Sequence, residues 1–345
     1  MNVLTISIMY GFVIVSCISA LVNHDMMLMF TSIVMFLLCI SSLVIVPSFE
    51  YININKLITK AILFTHVPLV VIPLLLYGLN TLPYRGIFYN PNSFGTILAT
   101  LFALFLAIFI YRFEILLTKK KQGLLESIGW LVLLMVSFFL IVISGSRTSV
   151  LSALISVVVG VIFLVVSLIK AKKIFSTLMR LFSYSVLGAI IIGIVFKFTS
   201  FYDYLYNRII YKFEIKSGRG DLFDHRSEVW KQALHEAGFF GRGSHYFVNE
   251  TTVAAHNTFI SILGENGWIS VILFLLLIIT FFWSTARYAI SQVEDTYKYV
   301  PLLMLICFCS LSMAEIMNFK LSMIAMFFTT GSIINLSDKI EKVSK

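Results

Sequence analysis

Apolar runs long enough to cross a lipid bilayer dominate this sequence. A transmembrane helix needs about 20 consecutive, mostly apolar residues, and ten runs in the 345-residue chain approach or exceed that length. They lie at residues 3–22, 26–46, 57–79, 94–113, 128–145, 148–169, 177–197, 267–283, 299–315 and 319–336. Because 59% of the residues are hydrophobic and only 12% are charged, the chain cannot cover the surface of a soluble protein of this size. The sequence therefore predicts an all-α, polytopic membrane protein with about ten transmembrane helices, built as a single transmembrane domain over residues 1–345.

The distribution of Lys and Arg predicts the orientation of these spans. Basic residues collect in short cytoplasmic loops, whereas long loops translocate largely regardless of their charge. With the N-terminus placed inside, fifteen of the 26 Lys and Arg residues fall in inner segments, three in short outer turns, and eight in one long outer segment that begins at Lys197. We therefore expect both termini in the cytoplasm. The net charge of +9 then reflects topology, and no nucleic-acid partner is expected.

The long extracytoplasmic loop, residues 198–256, is predicted to carry part of the active site. A loop of this length is uncommon unless it has a function. A short helix is predicted between Asp224, which suits an N-cap, and Gly238, which suits the position after the last turn. Arg226 stands four residues before Trp230 and therefore shares the apolar face of this helix. Because an unpaired charge that faces the protein is costly, Arg226 is a candidate ligand for an anion.

A His-Asn step ends this loop where the next span begins. His256 is either an interfacial histidine satisfied by water or a base that orients a substrate hydroxyl, and its position favours the second interpretation. Arg147 lies in a tight outer turn after Ser144, Gly145 and Ser146. It is either a snorkelling arginine at a helix end or a phosphate ligand, and the small neighbours would let helices approach closely.

Four motifs together resemble the pattern of the O-antigen ligase and polymerase superfamily. They are His256 to Gly267, Arg226 to Leu234 with Gly241 to Gly243, Ser144 to Ser149, and Asn90 to Ser93. Their order agrees with that superfamily, and the resemblance covers roughly residues 85–285. Members of the superfamily often have more spans than the ten predicted here, which affects the peripheral helices more than the site.

This resemblance implies a glycosyltransferase of the bacterial cytoplasmic membrane. Such proteins move a glycan from an undecaprenyl diphosphate carrier to an acceptor at the outer face. A repeat-unit polymerase for O-antigen or capsule is our first expectation, and a ligase that completes lipopolysaccharide is the alternative. A lipid-linked sugar flippase belongs to another class and is less favoured, because transporters usually show internal repeats and paired broken helices.

The candidate residues divide into three groups by expected role. The resemblance and the position at a span identify His256 as the catalytic residue, which orients or deprotonates the acceptor hydroxyl. The predicted diphosphate ligands are Arg147, Arg226 and Arg242, because arginine offers a planar fork of donors that suits phosphate. Supporting roles are assigned to Arg85, Asn92, Asn257 and Glu265. Of these, Glu265 is about half a turn out of phase with His256 on a continuous helix, which favours a structural role unless Gly264 and Gly267 break the helix. Glu315 and Lys320 interrupt an apolar stretch and are interpreted as a pair near the outer face.

The sequence predicts no metal and no cofactor. No clustered carboxylates and no nucleotide-binding loop occur, and the lipid-linked donor already carries the energy for transfer. The expected partners are the undecaprenyl-diphosphate-linked donor, the acceptor and the bilayer. Chain-length regulator and flippase proteins are further candidates.

Overall fold

The computed structural model of the chain describes residues 3–49, 54–79, 82–119, 124–173, 201–211, 226–251, 253–291 and 293–344, with isolated positions between 175 and 215. Among these residues the secondary structure is helical and no strand occurs. The prediction of an all-α, polytopic membrane protein is confirmed.

Twelve α-helices are numbered here in chain order within the described residues. They are α1 (Val3–Val22), α2 (Met26–Ile40), α3 (Ile54–Tyr77), α4 (Pro91–Lys119), α5 (Leu124–Ser144), α6 (Arg147–Lys170), α7 (Phe201–Leu205), α8 (Arg226–Glu236), α9 (Tyr246–Asn249), α10 (Thr258–Ala289), α11 (Val300–Ser312) and α12 (Leu321–Ser344). A π-helical turn, Ser41–Ile45, and a 3-10 turn, Val46–Ser48, extend α2.

Seven of these helices are long and apolar enough to cross a membrane. They are α1, α2 with its extension, α3, α4, α5, α6 and α10. The predicted spans at 299–315 and 319–336 correspond to the shorter apolar helices Val300–Ser312 and Leu321–Ile334. The predicted span at 177–197 falls largely outside the described residues.

The chain forms two compact units, each assembled from separate segments. The first unit comprises Met1–Ile58, Asp221–Arg287 and Phe308–Lys345, and the second comprises Thr59–Gly220 and Tyr288–Cys307. The single domain over residues 1–345 stays a prediction. Each unit contains some of the residues selected from the sequence, so the two are described separately.

In the first unit, glycine and aromatic residues allow close helix packing. A Cβ atom on Gly331 of α12 would lie 1.8 Å from the carbonyl oxygen of Ser42, so only glycine permits α12 to cross the π-helical turn. Phe12 of α1 packs against Phe274 of α10, with ring centroids 5.5 Å apart. These contacts fix α1, α2, α10 and α12 around the loop helices described below.

In the second unit, α4 is the central helix and packs against α5 and α6. Of the most apolar stretch of α4, 89% is buried, compared with 28–44% in the other six membrane-length helices. A helix that is apolar on all sides is expected to be enclosed. The buried Lys298 ammonium lies 2.8 Å from the Glu114 carboxylate, and this ion pair joins the segment before α11 to α4.

Candidate functional site

Helix α10 is interrupted near its start, and the loop that precedes it forms hydrogen bonds to the backbone groups at the interruption. Gly267 has φ 88° and ψ 178°, outside the helical region. In a regular helix, the N–H groups of residues 268 and 269 would donate to the carbonyls four residues earlier. In this protein the turn Gly238–Gly243 bonds instead to all four of these groups, the two N–H groups and the two carbonyls. The hydrogen bonds run from Arg242 N–H to Gly264 O (2.8 Å), Gly243 N–H to Glu265 O (3.1 Å), Trp268 N–H to Gly238 O (3.1 Å) and Ile269 N–H to Phe239 O (3.4 Å).

Two glycines make this docking possible. Gly241 and Gly267 both have positive φ angles, 69° and 88°, which other L-residues rarely adopt. A Cβ on Gly241 would lie 2.3 Å from the carbonyl oxygen of Glu265, and one on Gly267 would lie 2.2 Å from that of Phe239. The Gly-Arg-Gly motif and the Glu-x-Gly motif therefore form one structural element, although they are separate in the sequence.

The same turn is anchored to the connection between α1 and α2. One carboxylate oxygen of Asp25 accepts the Ser244 N–H at 2.6 Å and the Ser244 hydroxyl at 2.7 Å, and the other oxygen caps α2 at Leu28. Burial works against ionisation of Asp25, yet these hydrogen bonds outweigh it and lower the pKa of Asp25. Ser19 and Asn23 donate to the Phe240 carbonyl. The loop is thus tied to α1, α2 and α10.

Glu265 and Arg242, both selected from the sequence, take part in this arrangement. The Glu265 carboxylate accepts the Ser261 hydroxyl at 2.6 Å, one turn earlier in α10. Arg242 donates from Nε to the Glu236 carbonyl at 2.7 Å, at the C-terminus of α8, where a cation is favourable. Its side chain also lines an open cleft of about 400 Å³ together with Asn23, His245, Tyr246, Asn249 and Glu250. The cleft is lined by a cation, Arg242, and an acid, Glu250, so it offers partners for hydroxyl groups as well as for phosphate.

Helix α8 confirms the predicted loop helix and the inward direction of Arg226. It runs from Arg226 to Glu236 and ends before Gly238, whose φ of 62° is typical of a helix C-terminus. The predicted N-cap, Asp224, lies outside the described residues. Val229 and Ala233 are buried, and Trp230 donates to the Ala255 carbonyl at 2.8 Å. Arg226 itself donates from Nη1 to the Ala314 carbonyl at 3.1 Å.

His256 lies between this helix and the start of α10. Its φ of 46° is left-handed, and Asn257 then caps α10 by accepting the N–H groups of Phe259 and Ile260 at 2.9 and 3.2 Å. The His256 side chain is 39% exposed, so a substrate can reach it, and its Nδ1 lies 3.9 Å from a carboxylate oxygen of Glu315. The supporting role of Asn257 stays a prediction, but its capping bonds determine where α10 begins.

The charges around His256 favour a neutral imidazole. Burial lowers the pKa of His256, the positive charges of Arg226 and Lys320 lower it further, and the Glu315 carboxylate opposes the shift. A neutral imidazole at neutral pH can accept a proton, which is what general-base chemistry requires. His256, Arg226 and Glu315 therefore form one electrostatic group in the first unit, called the histidine site below.

The second unit brings together the other two motifs. Arg147 is the first residue of α6 and is half-buried, and Ser146 caps that helix. A Cβ on Gly95 of α4 would lie 2.5 Å from the Cβ of Ser146, so the turn before α6 packs tightly against the start of α4. That start is the Asn-Pro-Asn turn, in which the Asn90 side chain accepts the Asn92 N–H at 2.8 Å. Arg85 is exposed and donates to the Tyr89 carbonyl at 3.4 Å.

Sequence reasoning missed Glu315 as a neighbour of His256. It lies in the turn after α11, far from the histidine in sequence, and was interpreted as a partner of Lys320. An ionisable residue between two apolar runs is a functional candidate by default, and that signal could have identified it. Nothing in the spacing of the two residues indicates their proximity.

Comparison with known proteins agrees with the motifs. A family model described as O-antigen ligase matches residues 130–275, which include Arg147, Arg226, Arg242, His256 and Glu265. The search of curated proteins found no match to the chain. The resemblance inferred from the motifs is confirmed over residues 130–275, where the chain is similar to the O-antigen ligase family.

Proposed function

We propose that this protein transfers a glycan from an undecaprenyl diphosphate carrier to an acceptor hydroxyl at the outer face of the bacterial cytoplasmic membrane. The family match supports glycosyl transfer in general. The observation that carries the finer proposal is the histidine site, in which a half-exposed imidazole and an arginine lie at the start of a membrane-length helix. A base for a hydroxyl and a cation for a diphosphate are the two groups that this reaction needs.

The reaction is a displacement at the anomeric carbon with inversion. The acceptor oxygen forms the new bond to that carbon while its proton passes to the unprotonated nitrogen of His256. The bond between the anomeric carbon and the diphosphate oxygen breaks, and its electron pair leaves with undecaprenyl diphosphate. Negative charge grows on the leaving group, and a fixed cation that faces this charge lowers the barrier.

Arginine side chains are assigned to the diphosphate. Arg226 uses one N–H for the Ala314 carbonyl, which fixes the guanidinium while other N–H groups of the fork remain suited to phosphate oxygens. Arg147 in the second unit and Arg242 beside the mixed-charge cleft are further diphosphate ligands in this proposal. Arg85, Asn92, Asn257 and Glu265 have supporting roles, which Asn257 and Glu265 exert through backbone and side-chain hydrogen bonds.

We favour a repeat-unit polymerase and keep the ligase as the alternative. In either case no metal takes part, because the donor is already activated and arginines supply the positive charge. The loop at residues 198–256 lies outside and both termini lie inside, as the distribution of basic residues indicates.

Purified protein with lipid-linked oligosaccharide from the source organism tests this proposal. With the donor alone and a chelator present, a polymerase makes a ladder of longer glycans, because the donor is also its acceptor. A ligase makes no product until an acceptor without the diphosphate carrier is added. A flippase would form no glycosidic bond in either reaction. It would instead move the donor across the bilayer of a vesicle. Activity lost in chelator and restored by magnesium would refute metal independence.

A further inference from the structure

The turn that follows α11 is held by Arg226 and by Asn257 and Thr258, the two residues that follow His256. Residues 313–317 make four hydrogen bonds to these three residues. These run from Asn257 Nδ2 to Met313 O (3.1 Å), from Arg226 Nη1 to Ala314 O (3.1 Å), from Thr258 Oγ1 to Glu315 O (3.0 Å) and from Met317 N–H to Thr258 Oγ1 (2.8 Å). The Thr258 side chain is fully buried and both donates and accepts. The backbone of this turn, called the 313–317 turn below, is therefore fixed on both sides of Glu315.

This arrangement places a carboxylate against the imidazole. The Glu315 side chain is only 10% exposed, and its Oε2 lies 3.9 Å from Nδ1 of His256. That separation is an ion-pair distance and can shorten to a hydrogen bond when a substrate closes the site. A mostly buried carboxylate is costly unless cations or donors compensate it, and an imidazole N–H is one donor within reach of Glu315.

We propose that Glu315 is the positioning residue of His256. Its carboxylate receives the Nδ1–H of the imidazole, which fixes the ring and leaves Nε2 directed at the acceptor hydroxyl. When Nε2 takes the proton of that hydroxyl, the carboxylate stabilises the imidazolium without becoming protonated itself. Arg226 adds a second connection, because the side chain assigned to the diphosphate also holds the carbonyl of Ala314. This proposal rests on the proposed function and adds a residue to its site.

Three charged groups face the imidazole and predict the direction of any pH effect. Arg226 of α8 and Lys320, just before α12, favour the neutral ring, whereas Glu315 favours the imidazolium. Removal of the Glu315 charge leaves only the two cations, so the pKa of His256 must fall further. A purely structural glutamate would change the amount of folded protein or the rate, but it would not move the titration of His256 in this direction.

The central experiment compares Glu315→Gln with wild type in the transfer assay, at saturating donor and over a range of pH. The amide keeps the size of the side chain and removes its charge. We expect turnover to fall about 10-fold or more, donor KM to change little, and the midpoint of the acid limb to move to lower pH. Glu228→Gln is the matched control, because Glu228 is an exposed acid two residues from Arg226, and we expect its profile to equal that of wild type.

A double variant tests whether Glu315 acts through the histidine. In the background of His256→Ala, the change Glu315→Gln should cause no further loss of turnover, since the group it positions is gone. Additive losses would assign Glu315 a separate structural role and overturn the proposal. Where Glu315→Gln gives no folded protein, Glu315→Asp replaces it. A lower midpoint of the acid limb in Glu315→Asp then supports the proposal, and a midpoint equal to that of wild type overturns it.

The outcomes separate this inference from the function on which it rests. If Glu315→Gln has the turnover and the acid-limb midpoint of wild type while His256→Ala is inactive, the positioning role is overturned. The proposed transferase function is then unaffected. Wild-type turnover in His256→Ala would instead remove the proposed base, and the role of Glu315 with it.

Discussion

At the scale of single residues, the tasks proposed for His256 and Arg226 differ, and kinetics can separate them. The diphosphate carries charge in the donor before reaction, whereas the acceptor hydroxyl does not. A residue that binds the diphosphate therefore affects donor binding and turnover together. A base for the hydroxyl affects turnover alone.

We expect His256→Ala to lower kcat about 10²–10⁴-fold with donor KM nearly unchanged. Arg226→Ala should raise donor KM and lower kcat, and Arg226→Lys should restore only part of both, because a point charge cannot replace the bidentate fork. Lys231→Ala removes an exposed cation from the same helix and serves as the control. The measurement is steady-state kinetics normalised to the amount of folded protein. Product formation by His256→Ala at the wild-type rate would contradict these assignments.

The pH profile gives a second test of the same group. Because the pKa of His256 lies below its ordinary value, the neutral base persists as the medium becomes acidic. The acid limb of kcat/KM, which reports the enzyme without bound substrate, should therefore have its midpoint below about 6.5, the usual histidine value. Removal of a neighbouring cation in Arg226→Ala should shift this midpoint upwards. A midpoint that stays in place would show that Arg226 does not act on the imidazole.

At the scale of elements, the important feature is the pairing of the Gly238–Gly243 turn with the break in α10. The loop makes four hydrogen bonds to the two N–H groups and two carbonyls of the two bonds that the helix has lost. Neither motif can form this pairing alone, so a change at either glycine should disturb both. Arg226 precedes this turn in the chain and His256 follows it, so both sides of the turn lead to the histidine site.

Gly267→Ala should destabilise this element by about 2 kcal/mol or more, because alanine must adopt a positive φ and its methyl group meets the Phe239 carbonyl. Limited proteolysis should then cut the loop at residues 198–256 more rapidly, and the melting temperature in detergent should fall. The control is Gly129→Ala in α5, where the added methyl group meets nothing within 4 Å. Equal stability of the two variants would show that the pairing contributes little.

At the scale of the whole molecule, membrane orientation determines which face carries the chemistry. The distribution of Lys and Arg predicts that the loop at residues 198–256 lies outside. All the proposed roles of His256 and the arginines depend on that orientation, because the proposed glycan donor is presented at the outer face. Orientation can be measured without any substrate.

In a variant that lacks the four native cysteines, Val248→Cys should react with an impermeant thiol reagent in cells with a permeabilised outer envelope. Val248 is 77% exposed in the loop and therefore accessible. Gln122→Cys, in a segment rich in lysine, should react only after the cytoplasmic membrane is disrupted. The reverse pattern would place the loop inside and exclude the proposed reaction.

The parts of this molecule that follow from the sequence are those with a local signal. Hydropathy predicts where the membrane-length helices lie, and apolar spacing with Gly238 predicts α8 and its end. Gly264 and Gly267 indicate that α10 could break there, but the pairing of the break with the Gly238–Gly243 turn has no local signal, because backbone groups on two distant segments satisfy each other. The position of Glu315 beside His256 depends on hydrogen bonds between segments that are distant in the chain. Long-range pairing of this kind is decided by packing and not by local preference.

The bonds at Gly267 have a mechanical consequence for a protein that we propose to be a glycan polymerase. A lid must be able to lift, but lifting the Gly238–Gly243 turn would break four backbone hydrogen bonds at once and leave a helix with unpaired groups. This part of the loop therefore acts as a fixed rim joined to the membrane helix. A growing glycan bound at this rim would have to slide past it between additions, since the rim itself does not open.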